Sequence, residues 1–386
     1  MRDGWERKTL EEIAYTVSVR GHQAQTSEYS ASGAWPIVDQ GQERVVGYTD
    51  SYEPIREPLP LVLFGDHTRL VKLIEEPFVV GADGVKLLAP NTDIADVHYL
   101  HVLVSVAARQ IPSLGYSRHF KELKEVVLPL PPLPKQRKIA AILRTWDEAL
   151  EKLNALRALN IRRRVWLRTH LFTGKVRLPG FTGEWCKVPL SDVLHEHGSK
   201  STGAEEVYSV SVHKGLVNQV EHLGRSFSAA STDHYNRVLP GDIVYTKSPT
   251  GDFPLGIIKQ SKIDREVIVS PLYGVFTPQS YALGVILDAL FESPLAARNY
   301  LHPLVQKGAK NTIAVTNKQF LEGKLHLPMD PDEQAAIADV VNTSHAELAC
   351  LDAEIKALTD QKRGLMQKLL TGEWRVKVPD DKEAAA

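Results

Sequence analysis

Residues Gln136 to Gly174 and Gln334 to Gly372 align without a gap at a constant offset of 198. A chain that carries one long segment twice in strict register must give that segment two equivalent settings, which restricts the fold more than any local motif does. Gln136, Ile139, Ala140, Leu150, Leu153, Leu167, Leu171, Thr173 and Gly174 meet Gln334, Ile337, Ala338, Leu348, Leu351, Leu365, Leu369, Thr371 and Gly372. Trp5 and Leu10 answer Trp185 and Leu190 at an offset of only 180, so length varies between the opening motif and the repeat. The chain reads as variable module, fixed helix, variable module, fixed helix.

Apolar residues in the repeats recur at alternating three- and four-residue steps, the spacing of a coiled-coil seam. The first seam is Ile139, Leu143, Trp146, Leu150, Leu153, Arg157, Asn160, Arg164, Leu167 and Leu171. The second is Ile337, Val341, Ser344, Leu348, Leu351, Ile355, Leu358, Lys362, Leu365 and Leu369. Pro134 and Pro331 mark the starts, and Gly174 and Gly372 stand where a left-handed C-cap is expected. A helix of about 35 residues rises roughly 50 Å. The first copy is basic, from Lys135 to Lys175 with only Asp147, Glu148 and Glu151 opposed; the second is net acidic. Helices of opposite charge pair with each other, and a chain returning through a whole module between them favours the antiparallel arrangement. The alternative is that each helix packs only on its own module. Trp146, Leu156, Leu159 and Trp166 widen the first apolar stripe and suggest a further face toward other subunits.

Both modules follow one plan. The first offers strands at Trp35–Asp39, Leu61–Gly65 and Val71–Ile74, a run at Phe78–Ala89, a helix at Val97–Arg109, a segment Tyr116–Phe120 and a run into Leu128-Pro129. The second offers Gly241–Thr246, Leu255–Gln260, Val267–Pro278, a helix at Leu283–Tyr300, a loop at Gly308–Thr316 and a run from Phe320 into Leu327-Pro328. The expected fold is α+β: two globular mixed modules separated by two long antiparallel coiled-coil helices, duplicated about a pseudo-two-fold axis. Expected divisions are a module at 1–133, a helix at 134–176, a module at 177–330, a helix at 331–376 and a flexible tail at 377–386.

At 386 residues the chain can bury two cores, and its 43% hydrophobic and 24% charged content is that of a globular protein. Cys186 and Cys350 are the only cysteines and support neither a disulfide framework nor a thiolate metal site. The longest nearly apolar stretch, Val97 to Ala108, is too short to span a bilayer, and no basic apolar leader opens the sequence. A cytoplasmic protein is expected.

Motifs for catalysis fail one by one. No phosphate loop and no dinucleotide glycine motif is present. Ser270-Pro271-Leu272-Tyr273 resembles the aromatic-ended loop of amino-methyltransferases but lacks its second Pro, and no cofactor loop lies upstream. Pro331-Asp332 with Glu354-Ile355-Lys356 matches a nuclease pattern formally, yet lies along one helix instead of adjoining strands around a metal. His195-Glu196-His197 and the pair His98 and His101 lack a third ligand at metal spacing. No catalytic residue, no metal and no bound cofactor are expected.

The chain resembles the specificity subunit of type I restriction-modification systems over almost its whole length. The resemblance rests on Leu128-Pro129-Leu130-Pro131-Pro132-Leu133-Pro134-Lys135-Gln136 with Ile139-Ala140, its copy from Leu327-Pro328 through Glu333-Gln334 to Ile337-Ala338, and the closing Leu171-Phe172-Thr173-Gly174 and Leu369-Leu370-Thr371-Gly372. Trp35-Pro36-Ile37-Val38-Asp39-Gln40, Leu63 to Arg69, Val80 to Gly84, Gly241 to Tyr245 and Val269-Ser270-Pro271 look like target-recognition segments. The resemblance implies a non-catalytic DNA-reading subunit whose two target recognition domains each bind half of a split, asymmetric site. Two methyltransferase subunits would dock on the helices and supply S-adenosylmethionine chemistry; a restriction subunit would supply ATP- and Mg-dependent cleavage.

Candidate DNA contacts are Arg69, Lys72, Lys86, Tyr116, Ser117, Arg118 and His119 in the first module. In the second they are Lys247, Ser248, Thr250, Lys259, Lys310, Asn311, Thr312 and Lys318. Helix pairing and subunit docking are assigned to Ile139, Leu143, Trp146, Leu150, Leu153, Leu167, Leu171, Ile337, Val341, Leu348, Leu351, Ile355, Leu358, Leu365 and Leu369. The rival readings are a coiled-coil scaffold that binds no DNA, and the specificity subunit of a methylation-only or type II-like system.

Overall fold

The protein is described by a computed structural model covering residues 4–81, 83–112, 118–223, 232–307 and 313–378. The chain forms two compact units, Met1–Leu153 with Glu354–Ala386, and Asn154–Ala353. The division falls inside both long helices, so each unit is a module with part of each helix.

In the first unit the chain runs β1 (Glu6–Thr9), α1 (Leu10–Ile13), β2 (Ala14–Val17), β3 (Trp35–Val38), β4 (Gly47–Thr49), β5 (Leu61–Gly65), β6 (Val71–Ile74), β7 (Val79–Val80), β8 (Val85–Pro90), α2 (Val97–Gln110), α3 (Phe120–Glu125) and β9 (Val127–Leu130), then enters α4 (Leu133–His170). An antiparallel sheet of order β2-β8-β5-β6 carries the core, with a smaller sheet β4-β3-β7 beside it. β5 reads Leu-Val-Leu-Phe-Gly and is buried along its whole length, as a central strand covered on both faces must be. Asp96 caps α2, its carboxylate accepting from the His98 and Tyr99 N–H groups at 3.1 and 3.0 Å. Tyr99, Leu100, Leu103, Val104 and Ala107 of α2 then pack on Val62, Phe64 and Leu88 of the sheet.

The second unit runs β10 (Cys186–Pro189), β11 (Leu194–His195), β12 (Tyr208–Ser211), β13 (Gly215–Asn218), α5 (Gln219–Leu223), β14 (Asn236–Val238), β15 (Ile243–Tyr245), β16 (Ile258–Gln260), β17 (Val267–Val269), β18 (Gly274–Pro278), α6 (Tyr281–Phe291), α7 (Pro294–Leu301), β19 (Gln306–Lys307), β20 (Ile313–Ala314), α8 (Asn317–Glu322) and β21 (Lys324–Leu327), then α9 (Pro331–Leu370). Its main sheet, β11-β18-β15-β16, repeats the order of the first. The secondary layers differ: a hairpin β12-β13 and a pair β14-β17 replace the three-stranded sheet. The helix expected over Leu283–Tyr300 is two helices, because Pro294 cannot donate to the fourth residue before it and Ser293 caps a new start. The run Val267–Pro278 is likewise two strands, turned at Ser270–Tyr273 by a Tyr273 N–H to Ser270 carbonyl bond of 3.0 Å. Phe78–Ala89 divides in the same way into β7 and β8.

Each module closes on itself before its long helix begins. β1 pairs with β9, Glu6 opposite Leu130, and β10 pairs with β21, Cys186 opposite Leu327. This register sets Leu130-Pro131 against Leu327-Pro328, not Leu128-Pro129 as the sequence match had it. The next residues explain why Gln recurs. Gln136 Nε2 donates to the Pro131 carbonyl, and Gln334 Nε2 to the Pro328 carbonyl, both at 2.8 Å. Gln136 Oε1 accepts from the Asp96 N–H at 2.9 Å; Gln334 Oε1 accepts from Ser280 Oγ at 2.8 Å. Asp96 and Ser280 are the N-caps of α2 and α6, so one buried amide in each unit ties the module helix to the start of the long helix.

Within each unit the two long helices run in opposite directions. In the first, Ile139, Ala140 and Leu143 near the start of α4 share a core with Leu369 and Leu370 at the end of α9, and Lys362 pairs with Asp147. In the second, Leu171 and Phe172 after the end of α4 pack with Ile337 near the start of α9, while Arg157 pairs with Asp352 and Arg163 with Glu347. Every one of the fifteen residues assigned to pairing or docking is buried or half-buried. The exposed apolar side chains of α4 are instead Leu156, Leu159, Ile161, Val165 and Trp166. No helix among the described residues is long and apolar enough to cross a membrane.

Candidate nucleic-acid interface

In the first unit, loops gather at one end of the main sheet, beyond the C-terminal end of β5. The turn from Gly65 to Leu70 closes through Arg69 N–H to Gly65 carbonyl at 2.7 Å and Gly65 N–H to Leu70 carbonyl at 2.8 Å. Gln40 braces it: its Oε1 accepts from His67 N–H at 3.1 Å and its Nε2 donates to the Asp83 carbonyl at 2.7 Å. Gly84 can be nothing larger, since at φ +88° a Cβ would lie 2.5 Å from the Gln40 amide nitrogen. The Asp66 carboxylate is buried and accepts from the Phe120 N–H at 2.8 Å, fixing the start of α3. The three segments Trp35–Gln40, Leu63–Arg69 and Val80–Gly84 therefore build one loop cluster.

In the second unit the long loop between β15 and β16 occupies the corresponding place. Thr246 holds its base, Oγ1 accepting from Ile257 N–H at 3.0 Å, and Thr250 and Phe253 exchange backbone bonds of 3.0 and 2.9 Å at its tip. Between them Ser248, Pro249, Thr250 and Asp252 are exposed. Arg69 and Lys247, soon after the equivalent strands β5 and β15, are the non-glycine residues with positive φ among those described, both at 58°. An L-residue pays for that conformation in strain, which the surrounding loop must hold in place. Gly256 makes room for it: a Cβ there would lie 2.8 Å from the Lys247 backbone nitrogen. Burial pushes the Lys247 ammonium below the ordinary lysine range, against the pull of Glu196.

The other candidates separate into presented and anchored. Arg118, Ser248, Thr250 and Lys318 are exposed, and Lys86 is half-buried with its ammonium 5.8 Å from the centre of the Phe120 ring. Arg69 turns its guanidinium inward to the Ile111 carbonyl. Lys72 is an anchor: its ammonium donates to the Asp39 and Glu43 carbonyls at 2.8 and 2.5 Å, and burial lowers its pKa despite those two carboxylates. His119 is buried, with Nδ1 3.0 Å from the Asp66 carbonyl. Lys259 is buried in β16, 3.5 Å from Asp288 and 3.9 Å from Glu292. Lys72, His119 and Lys259 are thus held by their own packing. Tyr116 and Ser117, and Lys310, Asn311 and Thr312, lie outside the described residues. Asn317, passed over in the sequence, and Glu196, weighed there only as a metal ligand, belong to the second cluster, where Asn317 Nδ2 donates to Glu196 Oε1 at 2.5 Å. His197 next to Glu196 bonds Asp242 at 3.0 Å, so the His195-Glu196-His197 run converges on no common point.

Residues 2–160 match the family described as the type I restriction modification DNA specificity domain. Among solved structures, the type I restriction-modification system S subunit from M. genitalium is similar at a TM-score of 0.64 and 14% identity, covering 95% of this chain and 96% of that one. The HsdS subunit from Thermoanaerobacter tengcongensis aligns at a TM-score of 0.44 and 14% identity over 97% of this chain and 98% of that one. Among curated protein sequences none matches. The first structure shares the fold at an identity too low to say more. Residues 2–160 thus match the type I restriction modification DNA specificity domain, and nearly the whole chain shares its fold with the S subunit of such a system.

Proposed function

We propose that this chain is the non-catalytic reader of a bipartite, asymmetric DNA site, with one half-site for each module and with methyltransferase and restriction subunits bound to it. The observation that carries the reading is the pair of corresponding loop clusters, each led by a strained cation at the end of a central strand, on two modules of one sheet order. Unlike side chains on like scaffolds suit two different half-sites. The modules are assigned to 1–133 and 177–330, and the segments 134–176 and 331–376 to a coiled-coil spacer between them. The spacer fixes the separation of the half-sites, while S-adenosylmethionine, ATP and Mg belong to the partner subunits. The compartment of such an assembly is the cytoplasm.

Sequence is read by side chains in the major groove and register is fixed on phosphates. Arg118 and Lys318 flank the clusters as exposed cations, and Ser248 and Thr250 offer hydroxyls at the loop tip. The test is single-molecule sequencing of methylated adenines in the native genome with and without the chain. One split motif disappears on deletion; retention of every motif overturns the reading. Inserting one heptad into both helices adds about 10 Å and lengthens the preferred spacer by about three base pairs. Alanine at Arg118 or Lys247 relaxes one half-site only, whereas equal loss on random DNA marks a phosphate contact.

A further inference from the structure

Where each long helix ends, the chain makes the same turn. Gly174 and Gly372 take φ +67° and +65°, their N–H groups bonding the Leu171 and Leu369 carbonyls at 3.2 Å. The Val176 and Trp374 N–H groups reach back to the His170 and Lys368 carbonyls at 3.3 and 3.1 Å. In the second unit this turn delivers Arg177 to Glu333, the third residue of α9. Arg177 Nε and Nη2 each donate to one Glu333 oxygen at 2.6 Å, and Trp185 Nε1 donates to Oε1 at 3.2 Å. The carboxylate is 2% exposed and fully engaged.

In the first unit the corresponding turn delivers Arg375, and Trp5 stands where Trp185 stood. The third residue of α4, however, is Lys135. Lys135, Arg375 and Trp5 line a cavity of about 50 Å³ together with Ile139 and Trp374, and no carboxylate lines it among the described residues. A second cation replaces the acid at the first turn of a helix, where the backbone N–H groups already favour an anion. The cradle is kept and its ligand is missing.

We propose that Trp5, Lys135 and Arg375 form a carboxylate-binding site that an acidic side chain of a docked protein subunit fills. The partner is the methyltransferase subunit, so this inference rests on the proposed function. A carboxylate is the group held by the other copy of the cradle, and charge-assisted bonds from a guanidinium, an ammonium and an indole N–H are the donors it takes there or would take here. Supplying the charge from outside makes closure of the cradle depend on assembly, whereas the second unit is closed within the chain.

The test is calorimetric titration of the methyltransferase subunit into the full chain carrying Lys135→Glu, Arg375→Gln or neither. Lys135→Glu places the carboxylate in cis, as Glu333 is placed; it raises the melting temperature of the free chain and weakens binding at least tenfold. Arg375→Gln weakens binding comparably without stabilising the free chain, and keeps the test open if the first variant misfolds. Unchanged affinity in both overturns the site while leaving the proposed function standing. No binding by the unaltered chain overturns the proposed function and this partner with it. Asp3→Asn or a double Asp380→Asn, Asp381→Asn variant leaves the Trp5 indole N–H resonance of the free chain unmoved; a shift means that the chain fills the cradle itself, and overturns the proposal.

Discussion

The two units solve one packing problem with opposite placements of charge. At matched points of the repeat, the first unit has Asp147 and Lys362 and the second has His345 and Arg164. Asp147 and Lys362 pair directly across the helices. His345 and Arg164 cannot, and an acid comes from the module instead: Glu292, just past α6, meets Arg164 at 2.5 and 2.6 Å and His345 at 3.4 Å, with Arg168 and Lys259 both at 3.9 Å. Helix geometry is held while the counter-charge moves from helix to module. The first unit's cross-helix pair keeps its carboxylate, Asp147, exposed, whereas the second unit's binds its module to its helices through the largely buried Glu292.

The comparison is tested most strongly at Glu292. Burial would raise its pKa, but His345, Lys259 and Arg164 together draw it down to about 2. Removing the carboxylate leaves Arg164 and Arg168 without their partner and leaves Lys259 to Asp288 alone. Glu292→Gln is expected to cost about 3 kcal/mol at pH 7, read from urea unfolding. The folded pKa lies below the unfolded one, so this contribution is complete above about pH 5 and fades as the pH falls toward 2. A wild-type-to-variant gap that stays constant over that range breaks the account.

The shared joint makes the opposite kind of prediction, equality. Gln136→Leu and Gln334→Leu each strand a proline carbonyl and the capping donor of a module helix, at a cost of about 2 kcal/mol apiece. Costs differing by more than about 1 kcal/mol would show that the two amides do not hold equivalent joints. His101 separates the units again. Burial lowers its pKa to about 4, with Lys362 and His98 adding to the drop and Asp147 and Glu75 opposing it. The unfolded chain takes up that proton first, so the first unit loses stability as the pH falls from about 6.5 to 4. His101→Phe removes this slope, worth at most about 3 kcal/mol, and leaves the acid response of Glu292 below pH 5.

How far the sequence reveals this depends on how local each cause is. The helices are legible because their seam is a period: each seam residue from Ile139 to Leu171 and from Ile337 to Leu369 is buried or half-buried, polar Arg157, Asn160 and Lys362 included. Strands such as the central Leu61–Gly65 and the edge strand Val71–Ile74 are legible as short apolar runs. β1 is not, since Glu-Arg-Lys-Thr becomes a strand only by pairing with β9 more than a hundred residues away. The loop clusters are the least legible part. Lys72, His119 and Lys259 are polar residues at strand ends and in loops, as a reader would be, yet carbonyls and carboxylates distant in sequence bury them. Lys247 was selected for its charge, while the backbone strain that marks it out could not be read from residue types.

Charge complementarity between the helices was legible in kind but not in register, and this gives the smallest effect. The sequence places Arg157, Arg162 and Arg163 on the basic helix without partners; the structure gives Asp352 to Arg157 and Glu347 to Arg163, not to Arg162. Arg163 and Glu347 are both largely exposed, so solvent screens them and Arg163→Glu is expected to cost under about 1 kcal/mol. Arg162→Glu should cost less still, because Arg162 lies exposed one position off the pair. The informative measurement is the double variant Arg163→Glu, Glu347→Arg at low and high salt. If the helices pair as described, the reversed pair recovers most of the loss at low salt and the difference vanishes at high salt. Recovery by Arg162→Glu with Glu347→Arg instead would put the helices one residue out of the register found here. The Arg163–Glu347 pair would then not be the contact that joins the helices of the second unit, whereas the match of Asp147 and Lys362 to His345 and Arg164 rests on the sequence repeat alone.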